Sequence, residues 1–417
     1  MLTQRPRGTS DILPGEVEKW QRLEGVARQT FRRYHFQETR TPMFEHTELF
    51  ARGVGETTDI VTKEMYTFTD RGERSLTLRP EGTAGVVRAY VENKLYGNPG
   101  TSKLYYIGPM FRYEKPQKGR ERQFHQYGCE VLGAEGPAVD AEVIALNVDF
   151  LSQLGVQGMT VQLNSVGCST CRPVHKEKML EALAPRKDEL CKDCQQRLEK
   201  NPLRIFDCKN DRCQVVLKES GAPMILDTLC EDCHTHFEGV KTYLGTMDVA
   251  YEIDPKLVRG LDYYTRTAWE IVVDGVGTVS GGGRYNGLVE QLGGPTTPGI
   301  GFAGGVERAL LALEVQGFEW PQLDPVDVFV AVAEATADTV AMRFLKDVRN
   351  AGFIADRDYT GRSVKAQFKA ADRMQARFVA VFGGSELENG TVTLKELETG
   401  TQQEFGFVDA IEYLKTR

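Results

Sequence analysis

The chain has no apolar run long enough to cross a membrane. Its first residues, Met-Leu-Thr-Gln-Arg-Pro-Arg-Gly, lack the apolar stretch of a secretory signal. Repeats and low-complexity tracts are missing, which excludes solenoid arrays. There is no excess of positive charge: Lys and Arg total 51 against 59 Asp and Glu, a formal net charge of −8. That balance argues against indiscriminate coating of nucleic acid, although a local basic patch can still meet a large RNA. Cysteine is almost absent outside one segment, since Cys129 alone of nine lies outside 168–233. These absences lead to the expectation of a cytoplasmic protein with no membrane and no DNA partner. In that compartment cysteine pairs point to metal before disulfide. At 417 residues, 41% hydrophobic and 26% charged, the chain should form two or three domains with ample core.

What is present is arginine set among aromatic and acidic residues in two distant places. One is Gly108-Pro109-Met110-Phe111-Arg112-Tyr113-Glu114, continuing to Gln123-Phe124-His125-Gln126-Tyr127-Gly128-Cys129-Glu130. The other is Leu257-Val258-Arg259-Gly260-Leu261-Asp262-Tyr263-Tyr264. Guanidinium forks hold phosphate or carboxylate in two-point contacts and do not lose their charge. Glutamate, glutamine and tyrosine add donors and acceptors for a small zwitterion. The combination points to chemistry on an amino acid and a nucleotide.

Helical spacing runs from Val17 to Phe36. Short strand-like runs at 65–69 and 75–79 flank an Asp70-Arg71-Gly72 turn, a hairpin signal. Strands are expected at 103–112 and 123–132 around a charged loop, and again at 267–273 and 277–281. A helix follows the glycine-rich 299–304. The pattern is a largely antiparallel sheet with separate helices. Residues 320–325 read as a linker, after which strands and helices alternate as in a small, mainly parallel sheet.

These segments resemble bacterial-type histidyl-tRNA synthetases, a family of class II aminoacyl-tRNA synthetases, over essentially the whole chain. Tyr34–Phe50 around Pro42 resembles the class II dimer-interface motif, Phe111–Glu114 the second motif and Gly299–Arg308 the third. The Arg259–Tyr264 peptide and Ser280-Gly281-Gly282-Gly283-Arg284-Tyr285 resemble the two histidine-specific signatures. The resemblance implies an α+β fold. Its parts are an antiparallel-sheet catalytic core (1–167 and 251–321), a cysteine-rich helical insertion (168–250) and a C-terminal α/β anticodon-binding domain (326–417). It implies a homodimer that joins L-histidine to tRNA(His) through a histidyl-adenylate, using ATP with Mg²⁺.

On this resemblance Arg112, Arg259 and Arg308 are the catalytic cations. Histidine falls to Glu81, Thr83, Arg112, Gln126, Glu130, Arg259, Tyr263, Tyr264 and Tyr285, with Glu130 and Tyr264 favoured for the imidazole. ATP falls to Arg112, Glu114, Arg120, Phe124 and Arg308. Gln126 and Glu130 are four apart, so on a strand they share a face, opposite His125, for which packing is expected. The glycine run is expected to let backbone approach adenine and histidine.

Cysteines are not shared by the family pattern. Cys168-x₂-Cys171 and Cys191-x₂-Cys194, nineteen residues apart, suit one structural Zn²⁺. Cys208, Cys213, Cys230 and Cys233 could form a second site, with His234 or His236 as spare ligands. Arg357, Arg362, Lys365, Lys369 and Arg373 suit the phosphates of an RNA loop. A non-catalytic histidine-sensing paralogue and a free-standing amino-acid ligase are the competing readings. The first typically lacks the tail and the intact Arg259 peptide, both present here, and the tail also disfavours the second.

Overall fold

The runs either side of the charged loop form a long hairpin, Ser102–Phe111 pairing antiparallel with Gln123–Leu132. It anchors an eight-stranded sheet in a computed structural model that describes residues 3–55, 58–321 and 325–417. The sheet continues from Gln123–Leu132 through Gly299–Gly305, Gly277–Arg284 and Thr265–Val273 to Met159–Ser165, antiparallel throughout. Only the two-residue edge strands, Gln37–Glu38 and Glu252–Ile253, pair in parallel. Side chains alternate along these strands. Tyr127, Cys129 and Val131 face a core built with helices Val17–Arg33, Pro137–Leu154 and Val306–Val315. The opposite parity leaves Gln126, Glu130 and Glu270 for the other face.

A satellite sheet, Phe44–His46, Ser75–Leu78 and Tyr66–Thr69, contains the expected hairpin. Its turn is fixed by Asp70, whose Oδ1 accepts from the amides of Gly72 (2.8 Å) and Arg74 (3.0 Å). Met43, Phe44 and Phe68 remain exposed here.

The chain leaves the sheet after Met159–Ser165, touches its edge again at Glu252–Ile253, and returns into its antiparallel neighbour Thr265–Val273. The excursion carries helices Cys171–Leu183, Lys192–Lys200, Asp211–Glu219 and Glu231–Thr246. The last helix docks on Pro137–Leu154 through a buried group. There Asp140 accepts from Arg284, from His236 (2.8 Å) and from Thr267 Oγ1 (2.6 Å). Burial alone would raise the Asp140 carboxyl, but His236 and Arg284 hold it below the usual range. Removing one member of so buried a pair costs about 3–5 kcal/mol.

The chain divides into two compact units, Met1–Trp320 and Pro321–Arg417. Of the expected linker 320–325, residues 322–324 lie outside the described residues, as do Met1 and Leu2. The second unit has strands in the order Ala355–Arg357, Val328–Val332, Phe378–Phe382, Thr391–Glu396, Gln402–Gly406. The first three are parallel, as expected. The last two form an antiparallel hairpin that sequence reading missed, because their polar outward face gives little apolar signal. Arg357, expected among exposed cations, is buried and paired with Asp338. Lys365, Lys369 and Arg373 are exposed on or at the end of helix Val364–Arg373, close in sequence to the exposed ring of Tyr359.

Candidate active site

On the face opposite the helical core lies a cavity of about 380 Å³, and Arg112, Arg259 and Arg308 all line it. Arg112 directly follows the first strand of the long hairpin, Ser102–Phe111. Its Nε donates to the Pro80 carbonyl (2.8 Å), and its guanidinium lies 5.3 Å from the Phe124 ring centroid. Glu114 sits 3.7 Å from Arg112 and 3.9 Å from Arg120. Arg308, on the first turn of Val306–Val315, donates to the carbonyls of Thr278 and Val276. Burial, then the nearby Arg120, lowers the Arg308 pKa. Arg259 is ion-paired with Glu270 and lies 5.6 Å from the Tyr264 ring. Burial works against its charge, but Glu270 and the two tyrosines hold the guanidinium protonated.

The inner wall carries Glu81, Thr83, Gln126, Tyr263 and Tyr264. Glu81 accepts from the amides of Thr83 (2.7 Å) and Ala84 (2.8 Å) at the start of helix Thr83–Glu92, and burial raises its pKa. Gln126 Oε1 is buried with no hydrogen-bond partner among the described residues, an acceptor left for a ligand. Tyr263 and Tyr264 pack against each other at 4.7 Å while facing the cavity. Glu130 and Tyr285 stand one layer behind. Glu130 accepts from Thr83 Oγ1 (2.7 Å) and Tyr285 Oη (2.6 Å) and is wholly buried. Burial pushes its carboxyl up to about 8, against those two hydrogen bonds.

Glu270 and Thr278 were missed by sequence reading. Glu270 accepts from Thr278 Oγ1 (2.6 Å) as well as pairing with Arg259. Its only signal was a lone carboxylate within the apolar strand Thr265–Val273. The glycine run also has a reason within the protein. A Cβ on Gly281 would come within 2.5 Å of the Arg259 guanidinium, and one on Gly283 within 2.6 Å of the Tyr264 ring. Those glycines make room for the Arg259 and Tyr264 side chains. Arg284 is part of the buried Asp140 group, away from the cavity lining. His125 packs edge-on to Trp20 and meets Glu307 (3.2 Å), as its parity implied.

The cysteine pairing expected from spacing is overturned. Cys168 and Cys171 group with Cys230 and Cys233, and Cys191 and Cys194 group with Cys208 and Cys213. Chain spacing misled because the insertion runs outward and back. Its first and last pairs meet at the base, and the inner pairs meet at the far end. Sulfurs sit 3.6 and 3.8 Å apart in the basal quartet and 3.9 Å in the distal one. Four thiolates about 2.3 Å from one zinc would be separated by roughly 3.8 Å. Backbone amides donate to these sulfurs, Cys230 N to Cys171 Sγ (3.1 Å) and Cys191 N to Cys213 Sγ (3.2 Å). Neither histidine joins them: His236 serves Asp140, and His234 lies 4.0 Å from Glu238.

A six-stranded antiparallel centre with three arginines around one cavity defines the catalytic core of a class II aminoacyl-tRNA synthetase. The histidyl-tRNA synthetase family model matches residues 8–309, and an anticodon-binding-domain model matches 327–417. A histidine–tRNA ligase of Desulforamulus reducens is 55% identical, with all of both chains covered. The structure of apo S. aureus histidyl-tRNA synthetase is 43% identical over 99% of this chain and 100% of that one, with a TM-score of 0.84. A Bacillus halodurans protein described as an ATP phosphoribosyltransferase regulatory subunit/histidyl-tRNA synthetase shares the fold alone. It is 17% identical, with a TM-score of 0.65, over 91% of this chain and 98% of its own. The chain belongs to the histidyl-tRNA synthetase family.

Glu130 supplies a test of the site's electrostatics. Its folded pKa, about 8, exceeds the 4.5 of an exposed glutamate. Its contribution to stability is therefore present at low pH and is lost as pH rises through about 8. Glu130→Gln, which cannot ionise, should reduce the fall in thermal midpoint of the ligand-free protein between about pH 6 and about pH 9. An undiminished fall would mean that Glu130 is not the buried titrating carboxyl.

Proposed function

We propose that this chain performs its family's reaction, ATP-dependent attachment of L-histidine to tRNA(His), with the cavity of Arg112, Arg259 and Arg308 as its reaction centre. The single observation carrying this reading is the convergence of those three guanidiniums on one cavity. The histidine carboxylate attacks the α-phosphate, giving histidyl-adenylate and pyrophosphate. The 3′-hydroxyl of the terminal tRNA adenosine then attacks the acyl carbon, releasing AMP. Negative charge grows on non-bridging phosphate oxygens in the first step, so pre-placed cations and in-line positioning are the main devices. No general base is needed there, because the attacking carboxylate is already ionised.

Arg112 takes the α-phosphate, Arg308 the γ-phosphate, and Arg259 both the α-phosphate and the histidine carboxylate. Phe124, Glu114 and Arg120 complete the nucleotide side. Glu81 and Thr83 receive the ammonium, and Gln126 offers its unpartnered oxygen. Tyr264 meets the imidazole, and Glu130 backs it from one layer behind, where its oxygens keep lone pairs beyond those that Thr83 and Tyr285 use. A buried site of this kind rejects ligands that leave its polar groups unpaired, by about 10⁴-fold. Tyr263 and Tyr285 hold the wall. The donor chemistry also fits Mg²⁺ riding on ATP: it wants one or two carboxylates besides phosphate and water, and Glu270 lines the same wall. When bound, the ion neutralises polyphosphate charge.

Three further assignments complete the reading. Each cysteine quartet holds a structural zinc ion. The exposed Met43, Phe44 and Phe68 belong to the face on which two copies pair as a homodimer. The exposed Lys365, Lys369, Arg373 and Tyr359 meet the anticodon loop of the tRNA, phosphates on the cations and an unstacked base on the ring. No helix among the described residues is long and apolar enough to cross a membrane.

Histidine-dependent ATP–pyrophosphate exchange followed by tRNA charging tests the assignment. Arg259→His should lower exchange by at least about 10²-fold in a protein that still folds, as far-UV circular dichroism reads; full exchange would refute the role. Charge reversal at Lys365, Lys369 and Arg373 should raise the tRNA KM about tenfold or more while exchange stays intact. Equal losses in both assays would remove the tRNA-facing role.

A further inference from the structure

The basal quartet lies beside the segment Val258–Tyr264, which bears Arg259. Cys168 comes three residues after strand Met159–Ser165, and Cys171 begins helix Cys171–Leu183. Val258 packs against the cluster of Cys171, Cys233, Leu203 and Ile225, next to Cys168 and Cys230. One residue beyond Cys171, Arg172 donates from Nε to the Val166 carbonyl (3.2 Å) and from Nη2 to the Tyr264 carbonyl. Both ends of the catalytic segment thus rest on the cysteine module. Gly167 has a φ of +66°, and a Cβ there would stand 2.8 Å from that of Cys171, so the turn into the quartet requires glycine.

The distal quartet has other company. Its cluster holds Met179, Leu183, Leu198, Ile205, Phe206 and Leu217, all within the insertion. That half of the insertion also reaches the segment, where Asn201 Nδ2 donates to Asp262 (3.2 Å) and Leu203 shares the apolar cluster of Val258, but its cysteines do not.

We propose that the basal quartet, Cys168, Cys171, Cys230 and Cys233, is a metal-held positioning device for Val258–Tyr264, while the distal quartet only staples the insertion's own core. This rests on zinc occupying both quartets. Tetrathiolate zinc fixes four chain positions from two distant helix starts, and supplies order that a loop of this length lacks by itself. The fixed helix start aims Arg172, and Arg172 in turn fixes the carbonyl of Tyr264. A histidine carboxylate and imidazole bound by Arg259 and Tyr264 feel any loosening first. ATP shares only Arg259 with that segment and keeps Arg112, Arg308 and Phe124, which other elements hold.

The test is elemental analysis and steady-state exchange on the full chain, purified without chelator. Wild type should carry two zinc ions. Cys230→Ser/Cys233→Ser and Cys208→Ser/Cys213→Ser should each carry one, and Arg172→Ala should carry two. Cobalt(II) substitution should give the charge-transfer absorption of a tetrahedral thiolate site, halved in each double variant. The basal double variant and Arg172→Ala should raise the histidine KM about tenfold or more with the ATP KM within about twofold. Arg172→Lys should recover part of the loss, and the distal double variant should leave both constants within about twofold. A zinc-free wild type overturns the metal assignment. Two zinc ions with an unchanged histidine KM in Arg172→Ala overturn the positioning role and leave zinc standing. Should the basal double variant fail to fold, Arg172→Ala decides.

Discussion

The way the three guanidiniums are fixed governs everything else about this site. Arg112 and Arg308 are held by backbone carbonyls, of Pro80 and of Thr278 and Val276. A carbonyl fixes an arginine without cancelling its charge, so the charge remains for phosphate. Arg259 is held differently, by the carboxylate of Glu270, with Gly281 beneath it. An ion pair there keeps a buried cation charged before substrate arrives. The antiparallel sheet serves this arrangement, since adjacent strands place Glu270, Thr278 and Gly281 under one side chain.

Much of this was legible in the sequence. The long hairpin, the helix after the third motif and the parallel strands of the second unit follow from apolar periodicity and turn chemistry. The parity of Gln126 and Glu130 against His125 survives in the structure, because a strand's alternation leaves no freedom. Less legible was anything decided by a partner distant in sequence. Glu270 reads as an oddity in an apolar strand until Arg259 is placed on it. Arg284 follows the glycine run within a histidine-specific signature, yet it belongs with Asp140 and His236. The cysteines show the limit most plainly: chain spacing favours Cys171 with Cys191, and the return of the last helix gives Cys171 to Cys230 and Cys233 instead. Arg357 looks like surface charge until Asp338 buries it.

The insertion therefore has two kinds of connection with the catalytic core. His236 ties its last helix to Pro137–Leu154 through a buried charge group. The basal cysteines and Arg172 tie its root to the peptide that carries Arg259. Through this root the insertion touches the wall that carries Arg259 and Tyr264. That contact makes the insertion part of how the pocket is built.

The most direct measurement is a crystal structure of the full chain with a non-hydrolysable histidyl-adenylate analogue. The account predicts that the phosphate mimic lies within hydrogen-bond distance of both Arg112 and Arg259, with the imidazole against Tyr264 on the side of the cavity that Glu130 backs. An analogue seated elsewhere, or one that leaves Arg112 or Arg259 contacting protein groups alone, would contradict it.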